Sequence, residues 1–106
     1  TNFPFRPNQI WASDFTDITF RGEWIYLATV IDLFNREIVG FSVLISHGTQ
    51  LIINALFSAV NNHLAPEIIH SDHGSEYAST DYSTICQSLN ISQSMSQPGC
   101  PWENGY

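Results

Sequence analysis

The chain has 106 residues, 43% hydrophobic and 12% charged, against about 25% charged in an average globular protein, which is the size of one domain and the composition of a chain that folds. Ten Asp and Glu stand against Arg6, Arg21 and Arg36 with no Lys, for a formal charge of -7, so the basic surface that phosphate-backbone binding normally uses is missing. The longest apolar stretch, residues 51–60, is interrupted by Asn54 and Ser58 and is far short of the roughly 20 residues that span a bilayer, and the N-terminal Thr-Asn-Phe-Pro-Phe-Arg-Pro has no secretory-signal pattern; a cytoplasmic protein without a membrane partner is expected.

Along the chain, residues 9–15 alternate Ile10, Ala12 and Asp14 against Trp11, Ser13 and Phe15, the period of two of a strand. Arg21-Gly22 reads as a turn into residues 24–31, a nearly unbroken apolar run of the kind that makes a central strand covered on both sides. Residues 32–36 turn the chain again. In residues 37–45 Val39, Phe41, Val43 and Ile45 share one face, so three strands joined by short connections predict an antiparallel meander.

The period then changes. After Gly48-Thr49, the residues Leu51, Ala55, Leu56, Ala59, Val60 and His63 recur at helical spacing, with Thr49 available as N-cap. Pro66 stops that helix, and residues 67–70, with Ile68 and Ile69, predict a short buried strand with Asp72 directly after it. Ser79 or Thr80 can cap a second helix in which Tyr82, Ile85, Cys86 and Leu89 share a face, and Asn90 can end it. Residues 91–96 read as a last strand and residues 97–101 as a loop. Cys86 and Cys100 have neither CxxC spacing nor a His pair and are expected to be reduced thiols.

The order of three antiparallel strands, helix, strand, helix, strand implies an α/β fold, a mixed sheet with helices on its faces. It resembles a ribonuclease-H-like core. In such a sheet ligands bind where strand ends and loops converge, which draws notice to Asp72 in Ser71-Asp72-His73-Gly74, where Gly74 permits close approach of backbone and substrate. Asp14 interrupts an apolar strand, where a carboxylate is costly unless paired or bound to metal. Two carboxylates on neighbouring strands suit hard cations. Taken singly, Asp14 also fits an edge-strand charge and Asp72 a turn or helix cap.

Three ordered motifs add weight: Trp-Ala-Ser-Asp-Phe-Thr at 11–16, Tyr-Leu-Ala-Thr-Val-Ile-Asp-Leu-Phe-Asn-Arg-Glu-Ile-Val-Gly-Phe at 26–41, and His-Ser-Asp-His-Gly-Ser-Glu-Tyr at 70–77, with Ser-Met-Ser-Gln-Pro-Gly-Cys-Pro-Trp-Glu-Asn-Gly-Tyr at 94–106 extending the match. Together they resemble the integrase core of DDE insertion-sequence transposases related to retroviral integrases. The resemblance implies that Asp14 and Asp72 are catalytic residues and ligands of Mg²⁺ or Mn²⁺, two ions in the complete site, in a metal-dependent DNA strand cleavage and transfer. It implies DNA as partner, engaged mainly by other domains, and a homo-oligomer. It also implies a third carboxylate, a Glu that counting from Asp72 places shortly beyond Tyr106, so that residues 1–106 form a catalytic core domain without its C-terminal helices. Such a chain is expected to expose an apolar face and self-associate, and to have little or no strand-transfer activity.

Glu103 is a poor substitute, roughly 140° from the expected position on a helix turning about 100° per residue, whereas Asn104, about 40° away, would share the catalytic face. His73, Gly74 and Asn104 are therefore the candidate DNA-contacting residues. His70 and His73 flank Asp72 and could order it or a DNA phosphate. Glu76 is a candidate supporting group, and Asp17 and Asp32 read as structural. Two other readings stand beside the enzyme core: a non-catalytic transposase remnant or interaction module, favoured by the absence of Lys, and a ribonuclease-H-like nuclease.

Overall fold

The computed structural model describes residues 6–72 and 74–96. Its elements run β1 (Ile10–Phe20), β2 (Glu23–Asp32), β3 (Ile38–Leu44), α1 (Thr49–Asn62), β4 (Ile68–Ser71), α2 (Thr80–Ser88) and β5 (Ser92–Met95). They build one sheet of order β3-β2-β1-β4-β5, antiparallel between β1, β2 and β3 and parallel between β1, β4 and β5. The expected meander, helix, strand, helix, strand order is present. Among the described residues no helix is long and apolar enough to cross a membrane.

β1 runs on to Phe20, well past the predicted end, because β2 pairs with it down to Phe20↔Glu23. Arg21 and Gly22 then take φ of 53° and 79°, the doubly left-handed turn whose twist matches a two-residue hairpin.

Both helices lie on one face of the sheet. Two parallel crossovers, β3 to β4 through α1 and β4 to β5 through α2, step across the sheet in the same direction, and crossovers of one hand stepping one way place their helices on the same side. Their core joins Trp11, Val30, Ile52, Leu56, Ile69, Tyr77 and Tyr82. β2 is accordingly covered on one side only, not both: Ala28 and Val30 are buried, while Ile25, Leu27 and Ile31 on the other face are half-buried.

β3 departs from its predicted parity. A bulge opposite Val30 and Ile31 inserts Val39 as an extra residue between the pairs Gly40↔Val30 and Ile38↔Ile31, so Val39 and Gly40 are both buried while Phe41, Val43 and Ile45 are exposed. Gly40 is where α1 touches the sheet: a Cβ there would stand 2.6 Å from both the Ala55 carbonyl oxygen and the Ala59 nitrogen. The N-cap of α1 is Gly48 rather than Thr49, with no side-chain cap hydrogen bond, and His63 is its exposed C-cap rather than part of the buried face. In α2 the predicted cap holds: the Ser79 hydroxyl accepts from the Tyr82 amide at 3.2 Å. Asn90, at φ 59° just beyond the helix, supplies the left-handed residue that ends it. Cys86 is buried as a free thiol, its pKa pushed up to about 11 by that burial; Cys100 lies outside the described residues.

Candidate metal centre

β1 and β4 run side by side in parallel, with Ile10 beside Ile68 and Ala12 beside His70. Strand side chains alternate between faces, so carrying that register two residues on brings Asp14 beside Asp72 on the face of Ala12 and His70, the face that no described helix covers. Asp72 reaches that place because β4 ends at Ser71. Each carboxylate is braced locally: Asp14 Oδ1 accepts from the Phe15 amide and Asp72 Oδ1 from the Gly74 amide, each at 2.9 Å. A Cβ on Gly74 would lie 2.9 Å from Asp72 Oδ1, so glycine lets the amide come close to the carboxylate.

The two acids share a cleft of about 380 Å³ whose walls include Ala12, Ile31, Leu33 and Arg36. Partial burial of the carboxylate, and secondarily the negative charge of Asp72, raise the Asp14 pKa above its ordinary value, against the pull of the Phe15 amide. Two like charges held together, with hard oxygen donors and an open approach, form a donor set that a divalent cation would relieve. A third His, Cys, Asp or Glu to complete a metal-binding group is not found among the described residues.

The other acids separate clearly. Asp17 pairs with Tyr26 on the opposite face from Asp14. Asp32 is buried and accepts from the amides of Asn8, at 2.8 Å, and Phe34, at 2.9 Å, which makes it the organiser of the β2–β3 turn. His70 lines the cleft, and its Nδ1 lies 2.9 Å from the Ser94 hydroxyl on β5. Glu76 lies 3.0 Å from His47 Nδ1; burial pushes its pKa up, but its own backbone amide and His47 outweigh this and hold it below the ordinary value. His73, Glu103 and Asn104 lie outside the described residues.

Sequence reasoning missed Arg36, seen only as a turn residue and in fact part of the cleft wall. It also missed the 3.1 Å contact between the buried hydroxyls of Ser13 and Tyr77. Both residues stand in the quoted motifs, but their partnership spans 64 positions and leaves no local pattern.

Over residues 4–101 the chain matches the integrase core domain. It belongs to that family. The transposase InsF of insertion sequence IS3A from Escherichia coli K12 is 39% identical over 100 residues, which cover 92% of this chain and 35% of that protein. The putative transposase InsK of element IS150 from the same strain is 37% identical over 97 residues, 89% of this chain and 34% of that protein. This integrase core chain thus spans about a third of the length of these curated relatives. Among solved structures, a chain of a simian T-cell lymphotropic virus intasome in complex with the PP2A regulatory subunit B56 gamma matches with TM-score 0.90 and 25% identity, covering 98% of this chain and 37% of that one. The HTLV-2 integrase catalytic core domain in complex with magnesium matches with TM-score 0.80 and 23% identity, over 95% of this chain and 66% of that one. The latter likeness is one of fold, and with the former it gives the sheet and its two helices a ribonuclease-H-like architecture, the fold of integrase cores.

Proposed function

We propose that the chain is the part of an insertion-sequence transposase in which Asp14 and Asp72 hold divalent metal, Mg²⁺ or Mn²⁺, for phosphoryl transfer on DNA. The observation that carries the reading is the β1–β4 register, which brings two carboxylates from distant parts of the chain onto one open face. The transposase relatives and the magnesium complex of the HTLV-2 core support it.

In the reaction of this class, water attacks a strand phosphorus and breaks its P–O3′ bond, leaving a 5′-phosphate and a free 3′-hydroxyl. That hydroxyl then attacks a target phosphorus, forming a new phosphodiester as the target's own 3′-oxygen leaves and takes up a proton. Bound between Asp14 and Asp72, the metal would supply Lewis acidity to the attacking and leaving oxygens. The chain's own contribution is placement. The Phe15 and Gly74 amides each hold Oδ1 of one carboxylate. Ala12, Ile31 and Leu33 give the cleft an apolar wall, and Arg36 gives it the one cationic side chain among its lining residues, suited to a phosphate oxygen. His73, Gly74 and Asn104 are proposed DNA contacts. With a charge of -7, affinity for transposon end and target must come mainly from basic surfaces elsewhere in the full transposase.

Two carboxylates anchor one ion better than two, so the 106-residue chain is expected to bind a single Mn²⁺ weakly and to transfer strands poorly. Titration with Mn²⁺ followed by electron paramagnetic resonance checks this. Binding lost in both Asp14→Asn and Asp72→Asn, with circular dichroism unchanged, supports the assignment; binding indifferent to both substitutions overturns it. Two tight sites would overturn the single-ion stoichiometry.

The acidic balance favours one alternative, a non-catalytic interaction module, which predicts no divalent-ion site at these residues. A ribonuclease-H-like nuclease would be revealed by cleavage of an RNA–DNA hybrid.

A further inference from the structure

Ser13 and Tyr77 bring their hydroxyls within 3.1 Å of one another on the helix-covered side of the sheet, where they are 4% and 0% exposed. Ser13 is among the cleft's lining residues and Tyr77 is not, and each adjoins the carboxylate machinery. Ser13 immediately precedes Asp14 on β1, and because successive strand residues point to opposite faces, its contact with Tyr77 lies on the reverse of the sheet from the Asp14 carboxylate. Tyr77 closes the loop that Asp72 opens. Inside that loop the Gly74 amide donates to Asp72 Oδ1 at 2.9 Å, and from just beyond it the Ala78 amide donates to the Gly74 carbonyl at 3.0 Å and the Ser79 hydroxyl to the Glu76 carbonyl at 2.8 Å.

These bonds make the loop compact and join it to the start of α2, and Glu76 reaches His47, between β3 and α1, at 3.0 Å, but none of them reaches β1. Tyr77 ties it to the sheet. Its ring packs against Phe15 and Tyr82, at 6.2 and 5.4 Å between centroids, its carbonyl accepts from the Gln93 side-chain Nε2 at 3.1 Å, and its hydroxyl reaches Ser13.

We infer that Ser13 and Tyr77 are a positioning pair: their hydrogen bond fastens the loop carrying Asp72 to the β1 segment carrying Asp14 and so sets the spacing of the two carboxylates. The inference rests on the metal-centre reading given above for what that spacing serves. Burial alone does not call for the pair. Alanine and phenylalanine would fill nearly the same volume, and replacing both members of a buried polar pair by apolar groups of like shape is close to neutral for stability. What an apolar pair lacks is direction, because a hydrogen bond weakens steeply when it is bent, whereas dispersion contact has no preferred angle. Residues that orient metal ligands from behind are worth about 10- to 100-fold in metal affinity.

The test compares the parent chain with Ser13→Ala, Tyr77→Phe and the double variant by urea unfolding, by ¹⁵N relaxation of the Gly74 and Glu76 amides, and by Mg²⁺ titration. The double variant is expected to keep the parent's unfolding midpoint while its Gly74 and Glu76 amides lose order and its Mg²⁺ affinity falls about 10-fold. Each single variant should lose as much affinity as the double, since either change removes the whole bond. Unchanged loop order and unchanged affinity in the double variant would overturn the inference, as would single-variant losses that add. If the parent binds no Mg²⁺ at Asp14 and Asp72, the metal reading fails, while loss of loop order in the variants still supports the pair and its absence still overturns it. Should Tyr77→Phe fail to fold, Ser13→Ala carries the same comparison.

Discussion

The two faces of the sheet obey different rules. On one, Trp11, Ala28, Val30 and Ile69 are sealed under α1 and α2, with exposures of 1% or less. On the other, Phe41, Val43 and Ile18 are 60%, 50% and 41% exposed, and the same face carries Asp14, Asp72 and Arg36 around the cleft. The covered face stabilises the fold through apolar burial. The open face, where a carboxylate keeps access to water and ligand, can hold a charged pair that the covered face could not tolerate. Ser13 and Asp14 show the division at single-residue scale, adjacent on β1 yet assigned by the pleat to opposite environments.

The sharpest way to break this comparison is substitution on the covered face. Trp11→Ala removes a fully buried indole that also donates to Asn8 Oδ1 at 3.2 Å and is expected to cost about 3–5 kcal/mol, a large share of a small domain's stability; loss of the cooperative urea transition checks it. Gly40→Ala forces a methyl against the backbone of α1 and should cost about 1–3 kcal/mol, read from the same midpoint. Phe41→Ala, by contrast, should change stability by no more than about 0.5 kcal/mol.

The open face should answer to charge instead. Its exposed apolar side chains predict concentration-dependent self-association, and a Phe41→Asp, Val43→Asp pair should reduce it. Light scattering that finds the parent chain monomeric at high concentration would contradict this.

The smallest effects come from proton linkage. Asp14, its pKa raised above the ordinary carboxylate value by partial burial, is protonated more readily folded than unfolded. Its charge therefore costs stability at neutral pH, and that cost disappears as the pH falls through the raised value. Glu76, lowered from 4.5, does the reverse: it contributes stability above its ordinary pKa that is lost as the pH falls through the lowered one. Asp14→Asn should be slightly more stable than the parent at pH 7 and Glu76→Gln slightly less, with both differences vanishing in acid. Metal-free unfolding midpoints across pH check both signs.

Much of this was legible in the linear chain, because periodicity and punctuation are local. Arg21-Gly22 marked a hairpin, Ser79 a cap, Asn90 a helix end, and the placement of Asp14 on a strand and Asp72 just past one followed from alternation and from a short apolar run. The motif resemblance then joined the two acids into one site. Where local reading failed, the reason was a partner elsewhere: the β3 bulge turned Val39 inward and Phe41 outward, and Gly48 rather than Thr49 capped α1.

The sequence by itself determined the element types, their order and the family, since these depend on spacing along the chain. Which face each element serves was decided only by tertiary structure. The direction of the crossovers put both helices on one side, and the β1–β4 register, which sets Ala12 beside the distant His70, brought Asp14 to Asp72. Strand pairing is a long-range choice made by the whole sheet at once, and no window of neighbouring residues contains it.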